Sequence, residues 1–225
     1  MKRILFALLG ALMMLPAFSQ EFRPLETWPF LYEEFQPGAT RTRDGALTES
    51  LYNVSVADGS LMYIKDGIIM KPDMSRVYTA RVGEDVYVNI MGRMYRLLSE
   101  LDCGNVVLGT EVDRAQLEKV NIGYGKSSVA SAQNLSLVAI EGGNWANKSM
   151  ESFASTKYDG KELPLKQTWY LHKGLDLIPA TRQDVLNIPG VDKKAATDFF
   201  KQEKIKWKDT ASLEKVLSFI NEQTK

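Results

Sequence analysis

The sequence predicts a mainly β fold with a C-terminal helical appendage, its strands running as an antiparallel meander that forms a roll, sandwich or small barrel. Three observations carry this expectation. Asp-Gly pairs stand at 44–45, 58–59 and 66–67 among alternating or β-branched residues, and the pair marks hairpin turns because glycine tolerates positive φ. Side chains alternate in "SLYNVSVADG" (Tyr52, Val54, Val56), "DVYVNI" (Val86, Val88, Ile90) and "NVVLGTEV" (Val106, Leu108, Val112), which places each set on one strand face. Beyond residue 181 the apolar spacing becomes helical.

Taken in order, "MKRILFALLGALMMLPAFSQ" combines Lys2 and Arg3, an apolar run from Ile4 to Leu15, Pro16, and the small residues Ala17 and Ser19. That is the layout of a cleavable signal peptide over residues 1–19, which leaves Gln20 as the first residue. The run is shorter than the roughly 20 apolar residues of a spanning helix. The product is expected to be periplasmic or extracellular, with no transmembrane segment after cleavage. Residues 20–120 are expected to form the antiparallel β domain, which opens on "WPFLYEEFQPG". Trp28, Phe30 and Tyr32 alternate there and Phe35 follows. Such a row can stack on sugars, but large rings dominate core burial, and packing against the open end of the sheet is the favoured reading.

Over 121–165 the pattern dissolves into an irregular excursion rich in Gly, Ser and Asn, with one apolar patch, "LSLVAI". A connection of this length is usually functional or loosely ordered. Trp145 in "EGGNWANKS" either clamps a ligand or pins the loop to the sheet, and the second reading is favoured. A strand returns within 166–180, in "KQTWYLHKG". Residues 181–225 are expected to hold three helices. Thr181 and Asp184 approximate a capping box before Val185, Leu186 and Ile188; Asp192 leads Ala195, Ala196, Phe199 and Phe200; Asp209 or Thr210 leads Leu213, Val216, Leu217 and Ile220.

Charge and chemistry narrow the function classes. The 225 residues carry 28 Lys and Arg against 28 Asp and Glu, and loss of Lys2 and Arg3 leaves 26 basic groups. This balance offers no general attraction for nucleic acid or anionic membrane. Cys103 is the single cysteine and cannot form an internal disulfide, so packing must supply stability. With the single histidine, His172, it meets the minimum for a thiol nucleophile, as any chain with one of each does. No G-x-S-x-G elbow, metal-ligand cluster, phosphate-binding glycine loop or EF-hand loop occurs. No catalytic, cofactor-binding or metal-binding residue is therefore nominated, and no cofactor is expected. The neighbours Glu33 and Glu34, or Glu84 and Asp85, would point apart on a strand. An acid and base drawn from separate strands stay open as an alternative.

"IPGVDKKAATDFF" resembles the helix-hairpin-helix motif, with Pro189, Gly190, Val191, Lys194, Ala196 and Phe199 at matching positions. The resemblance implies a DNA phosphate held by hairpin amides and a helix N-terminus. Asp192, however, stands where the motif has its second glycine, and brings a carboxylate to the phosphate position. From 181 to 225 there are nine basic residues against seven acidic ones, too small an excess for phosphate binding by counterion release. Nucleic acid is not an expected partner.

A wider likeness rests on "WPFLYEEFQPGATRTRDG", "GEDVYVNIMGRMYRLLSE" and the tail with Lys201, Lys204 and Ile205 before its last helix. These segments look like exported β-rich proteins of Bacteroidetes that carry no assigned activity. The resemblance implies a periplasmic or secreted location and transfers no functional residue. Asp209-Thr210-Ala211 resembles the O-glycosylation acceptor pattern of those bacteria, and equally a helix cap. The expectation is a non-catalytic envelope or secreted protein that binds an unknown protein or glycan ligand through its sheet surface or through residues 121–165. An envelope hydrolase is the alternative from another class, and nucleic-acid binding through the tail is the third reading.

Overall fold

A computed structural model of the protein describes residues 22–120 and 146–224. The expected signal peptide, the "LSLVAI" patch and Trp145 lie outside these residues. Eight strands come first: β1 Gln36–Thr42, β2 Leu47–Val54, β3 Leu61–Lys65, β4 Ile68–Met70, β5 Val77–Val82, β6 Asp85–Ile90, β7 Arg93–Leu101 and β8 Gly104–Val112. Helix α1 (Arg114–Val120), β9 (Lys148–Ser149), α2 (Met150–Thr156), β10 (Leu165–Lys173) and β11 (Asp176–Pro179) follow. Three helices complete the chain: α3 Arg182–Leu186, α4 Lys193–Gln202 and α5 Thr210–Gln223. The molecule is mainly antiparallel β with C-terminal helices, as its sequence predicts.

The three Asp-Gly pairs lie in the first three hairpin turns. Asp66 and Gly67 both take positive φ, 51° and 74°, which matches the right-handed twist of the flanking strands. The strands join one sheet in the order β11-β10-β8-β7-β6-β5-β1-β2-β3-β4-β9. Its ends do not pair, so the sheet is open, but it curls. The turn between β2 and β3 reaches across to β7 and β8, where the Met94 amide donates to the Gly59 carbonyl at 2.8 Å and the Val112 amide to the Val56 carbonyl at 3.4 Å.

Curling gives the sheet an inner and an outer face. Tyr52, Val54, Leu61, Val77, Ala80, Val82, Tyr87 and Met94 fill the inner face of the curl. Further along the same face, Val106 and Leu171 are covered by Val185, Ala196, Phe200, Leu213, Val216, Leu217 and Ile220 of the C-terminal helices. The tail thus shares a core with β8 and β10, and is not an appendage in the physical sense. Of the four residues that Asp192 leads in α4, Ala196 and Phe200 are buried and Phe199 is half-buried, whereas Ala195 is exposed.

On the outer face of β3 and β4, Trp28, Phe30 and Phe35 pack with Met62, Ile69 and Phe153 of α2. The aromatic row is core, which removes Trp28, Phe30 and Phe35 from any sugar platform. Residues 148–156 of the expected irregular excursion are regular: β9 pairs with β4, and α2 supplies Phe153. The alternation read in "DVYVNI" also needs correction. Val88 and Ile90 are buried on the outer face, but so are Tyr87 and Asn89 on the inner one, while Val86 is 39 % exposed. A strand covered on both faces loses the period-two signal.

Candidate functional site

Among the described residues, two places on the sheet combine a pair of tyrosines with an arginine–carboxylate ion pair. The first lies on the outer face of β7, β8 and β10. Gly109 is the reason it exists: a Cβ there would stand 3.0 Å from Tyr95 Cε1 and 3.1 Å from Tyr170 Cε2. Without that Cβ the two rings close over the strand, edge to face at 84° with centroids 5.6 Å apart. Arg93 donates to Glu111 at 3.2 Å beside them, each side chain 40 % exposed. Such an exposed pair contributes under about 1 kcal/mol to stability, so both groups stay available to a ligand. Burial raises the Tyr95 pKa, and its hydroxyl remains a neutral donor and acceptor at pH 7.

Arg93, Tyr95, Gly109, Glu111, Thr168 and Tyr170 line a cleft of ≈ 20 Å³. That holds about one water molecule, against roughly 300–1,000 Å³ for a pocket that encloses a small molecule. The cleft can receive one protruding group of a larger ligand lying along the face.

The second cluster ties the N-terminal segment to the inner face. The Tyr32 hydroxyl donates to Asp85 at 2.5 Å and lies 2.6 Å from the Tyr87 hydroxyl. Arg96 holds the other oxygen of Asp85 at 2.8 Å. Burial pushes both tyrosines well above the ordinary phenol pKa, the neighbouring hydroxyl and carboxylate adding to the effect at Tyr32. Asp85 is thus held by a neutral donor and a cation, and latches the N-terminal segment to the sheet. Asn53, fully buried, completes the attachment: its amide accepts from the Tyr32 backbone N–H at 3.0 Å and donates to the Tyr32 carbonyl at 2.8 Å.

The residues singled out in the sequence fare differently. Cys103 packs against the helical core on the inner face. His172 alternates with buried Leu171 and so faces outward, where its Nδ1 lies 3.5 Å from Asn105 Nδ2. Burial lowers the His172 pKa and keeps the ring neutral at pH 7. The thiol and imidazole belong to opposite faces and form no pair. Glu33 accepts from the Tyr158 hydroxyl at 2.7 Å, while its neighbour Glu34 is exposed. Asp192 caps α4, accepting from the Lys194 and Ala195 amides at 2.8 and 2.9 Å, so the anion position of the hairpin is occupied by the chain itself. Asp209 caps α5 through the Ser212 amide, leaving Thr210 as its first residue.

Among the described residues, no three His, Cys, Asp or Glu side chains gather at a metal-sized site, and no helix is long and apolar enough to cross a membrane. Sequence reasoning passed over Tyr95, Gly109 and Tyr170. The available signal was the glycine inside "VVLGT", since an interior strand glycine marks a close approach. Comparison with protein-family models, curated proteins and solved structures yields no match for this chain.

Proposed function

We propose that this chain is an exported, non-catalytic binding protein that takes a protein or glycan ligand on the outer face of its sheet, at the cleft between Tyr95 and Tyr170. The observation that carries the reading is the ring pair closed over Gly109 beside the half-exposed Arg93–Glu111 pair. Rings supply apolar contact at low entropic cost, and a half-exposed cation and anion supply orientation. In the two tyrosine clusters on the sheet the carboxylate is engaged by an arginine, Glu111 by Arg93 and Asp85 by Arg96, which favours binding over acid–base chemistry.

The test is to screen the mature chain and a Tyr170→Ala variant against glycan and peptide arrays. Ligands that bind the wild type and lose at least tenfold in affinity with Tyr170→Ala are the expected result. Ligands indifferent to Tyr170, or turnover of an arrayed glycan or peptide, would overturn the reading. Export is tested separately by N-terminal sequencing of the protein recovered from periplasm or medium. The expected first residue is Gln20.

A further inference from the structure

The ladder of β10 is lopsided. Eight of its residues, Leu165 to His172, pair with β8, but only Tyr170 to Lys173 pair with β11 on the other side. The Ala180 amide donates to the Trp169 carbonyl, so Trp169 directs its backbone groups to the β11 side. Antiparallel strands alternate in this respect, and Leu165 and Gln167 therefore also aim their N–H and C=O groups outward. At the far end the Leu163 amide is taken by the Pro24 carbonyl. Between these two closures, no described strand covers the outer edge of Leu165 to Thr168. An open row of backbone donors and acceptors is a template for another strand.

The side chains along this slot indicate what fits. On the outer face Arg93 pairs with Glu111, and Glu111 stands across from Lys166, so the charges alternate from β7 through β8 to β10. Lys166 is exposed and ends the row as a cation on the last strand before the slot. Two residues on, Thr168 lines the tyrosine cleft. Directly opposed residues on adjacent strands share a face, and opposite charges there stabilise the pair. A second copy of β10 cannot complete the row, because "LKQTWYLHK" contains no Asp or Glu.

We infer that the outer edge of β10 binds an extended peptide by strand addition, with an acidic residue opposite Lys166 and an apolar residue opposite Thr168, beside the cleft. This rests on the binding function proposed above and specifies its ligand as a protein segment. Main-chain bonds to Leu165 and Gln167 supply the attachment, and the two outward side chains supply the selectivity.

The probe is a labelled heptapeptide, STVTETS, titrated against the mature chain. Its valine, middle threonine and glutamate are matched to Thr168, Gln167 and Lys166. Binding is expected to weaken at least tenfold when the middle threonine amide is N-methylated, and likewise in Gln167→Pro, which removes the outward N–H. Lys166→Glu is expected to reverse the preference, favouring STVTKTS over STVTETS. Because the methylated peptide leaves the protein untouched, misfolding of Gln167→Pro cannot mask the result. If the methylated peptide binds undiminished while Tyr170→Ala abolishes binding, strand addition fails and the proposed binding function survives. Binding unaffected by either change overturns both. Absence of peptide binding, or self-association that Gln167→Pro abolishes, overturns the assignment of an acidic peptide.

Discussion

Asn53 shows how much one side chain contributes here. Its amide copies the donor and acceptor of a neighbouring strand, and it holds both backbone groups of Tyr32 in the interior. Asn53→Ala leaves the Tyr32 amide without its acceptor, while the Tyr32 carbonyl keeps the Trp28 indole N–H, and chemical denaturation is expected to show a loss of about 2 kcal/mol. Asp58 gives a pH-dependent counterpart. Burial acts to raise its pKa, but hydrogen bonds from Lys71 and Ser60 outweigh burial and hold it at about 2, below the ordinary 3.8. A depressed carboxyl pKa stabilises the fold above the unfolded value, and that stability is lost as pH falls from about 4 to about 2. Asp58→Asn should remove this acid-dependent loss, leaving a flatter stability profile in urea titrations across that window. Asp192 was legible in the sequence because a cap bonds two and three residues ahead, within its own turn. Asn53 was not, because its partner lies 21 residues away and nothing in "SLYNVSV" names it.

Among the elements, β8 and α5 mark the limits of what local pattern reveals. The stripe Leu213, Val216, Leu217 and Ile220 was readable as the buried face of a helix, and all four are at most 1 % exposed. Leu217→Ala is expected to cost about 3 kcal/mol, measured by thermal or urea unfolding, because Leu217 sits between α5 and the sheet. Strand β8 defeated the same kind of reading. Val106 and Val107 are both fully buried, one under the helices and the other on the outer face, so alternation identified only one of its two covered sides. The cleft escaped notice for a related reason: one of its rings comes from β10, which neighbours β8 in space but lies more than 50 residues away in sequence. Gly109→Ala brings a methyl to 3.0 Å from one ring and 3.1 Å from the other. The rings are expected to separate, seen as shifted tyrosine ring resonances, with stability changed by about 1 kcal/mol.

At the scale of the molecule, the C-terminal helices and the sheet stand or fall together. Removing residues 181–225 uncovers Val106 and Leu171, both fully buried in the intact chain, and the remaining sheet is expected to aggregate rather than to persist as a free β domain. Solubility and size-exclusion chromatography of the truncated chain check this; a soluble, monomeric sheet would show that the tail is dispensable. What the sequence determined by itself were the local features: the Asp-Gly turns, the helix caps, the helical stripe and the β-rich class. Each depends on groups within a few residues of one another, where backbone geometry leaves little choice. Only the tertiary structure decided how the sheet curls, that the tail joins its core, which aromatics are buried, and that Tyr95, Tyr170, Arg93 and Glu111 meet on the outer face of the sheet. Those outcomes depend on pairings between distant segments, and strand order, unlike strand identity, is written in no single stretch of chain.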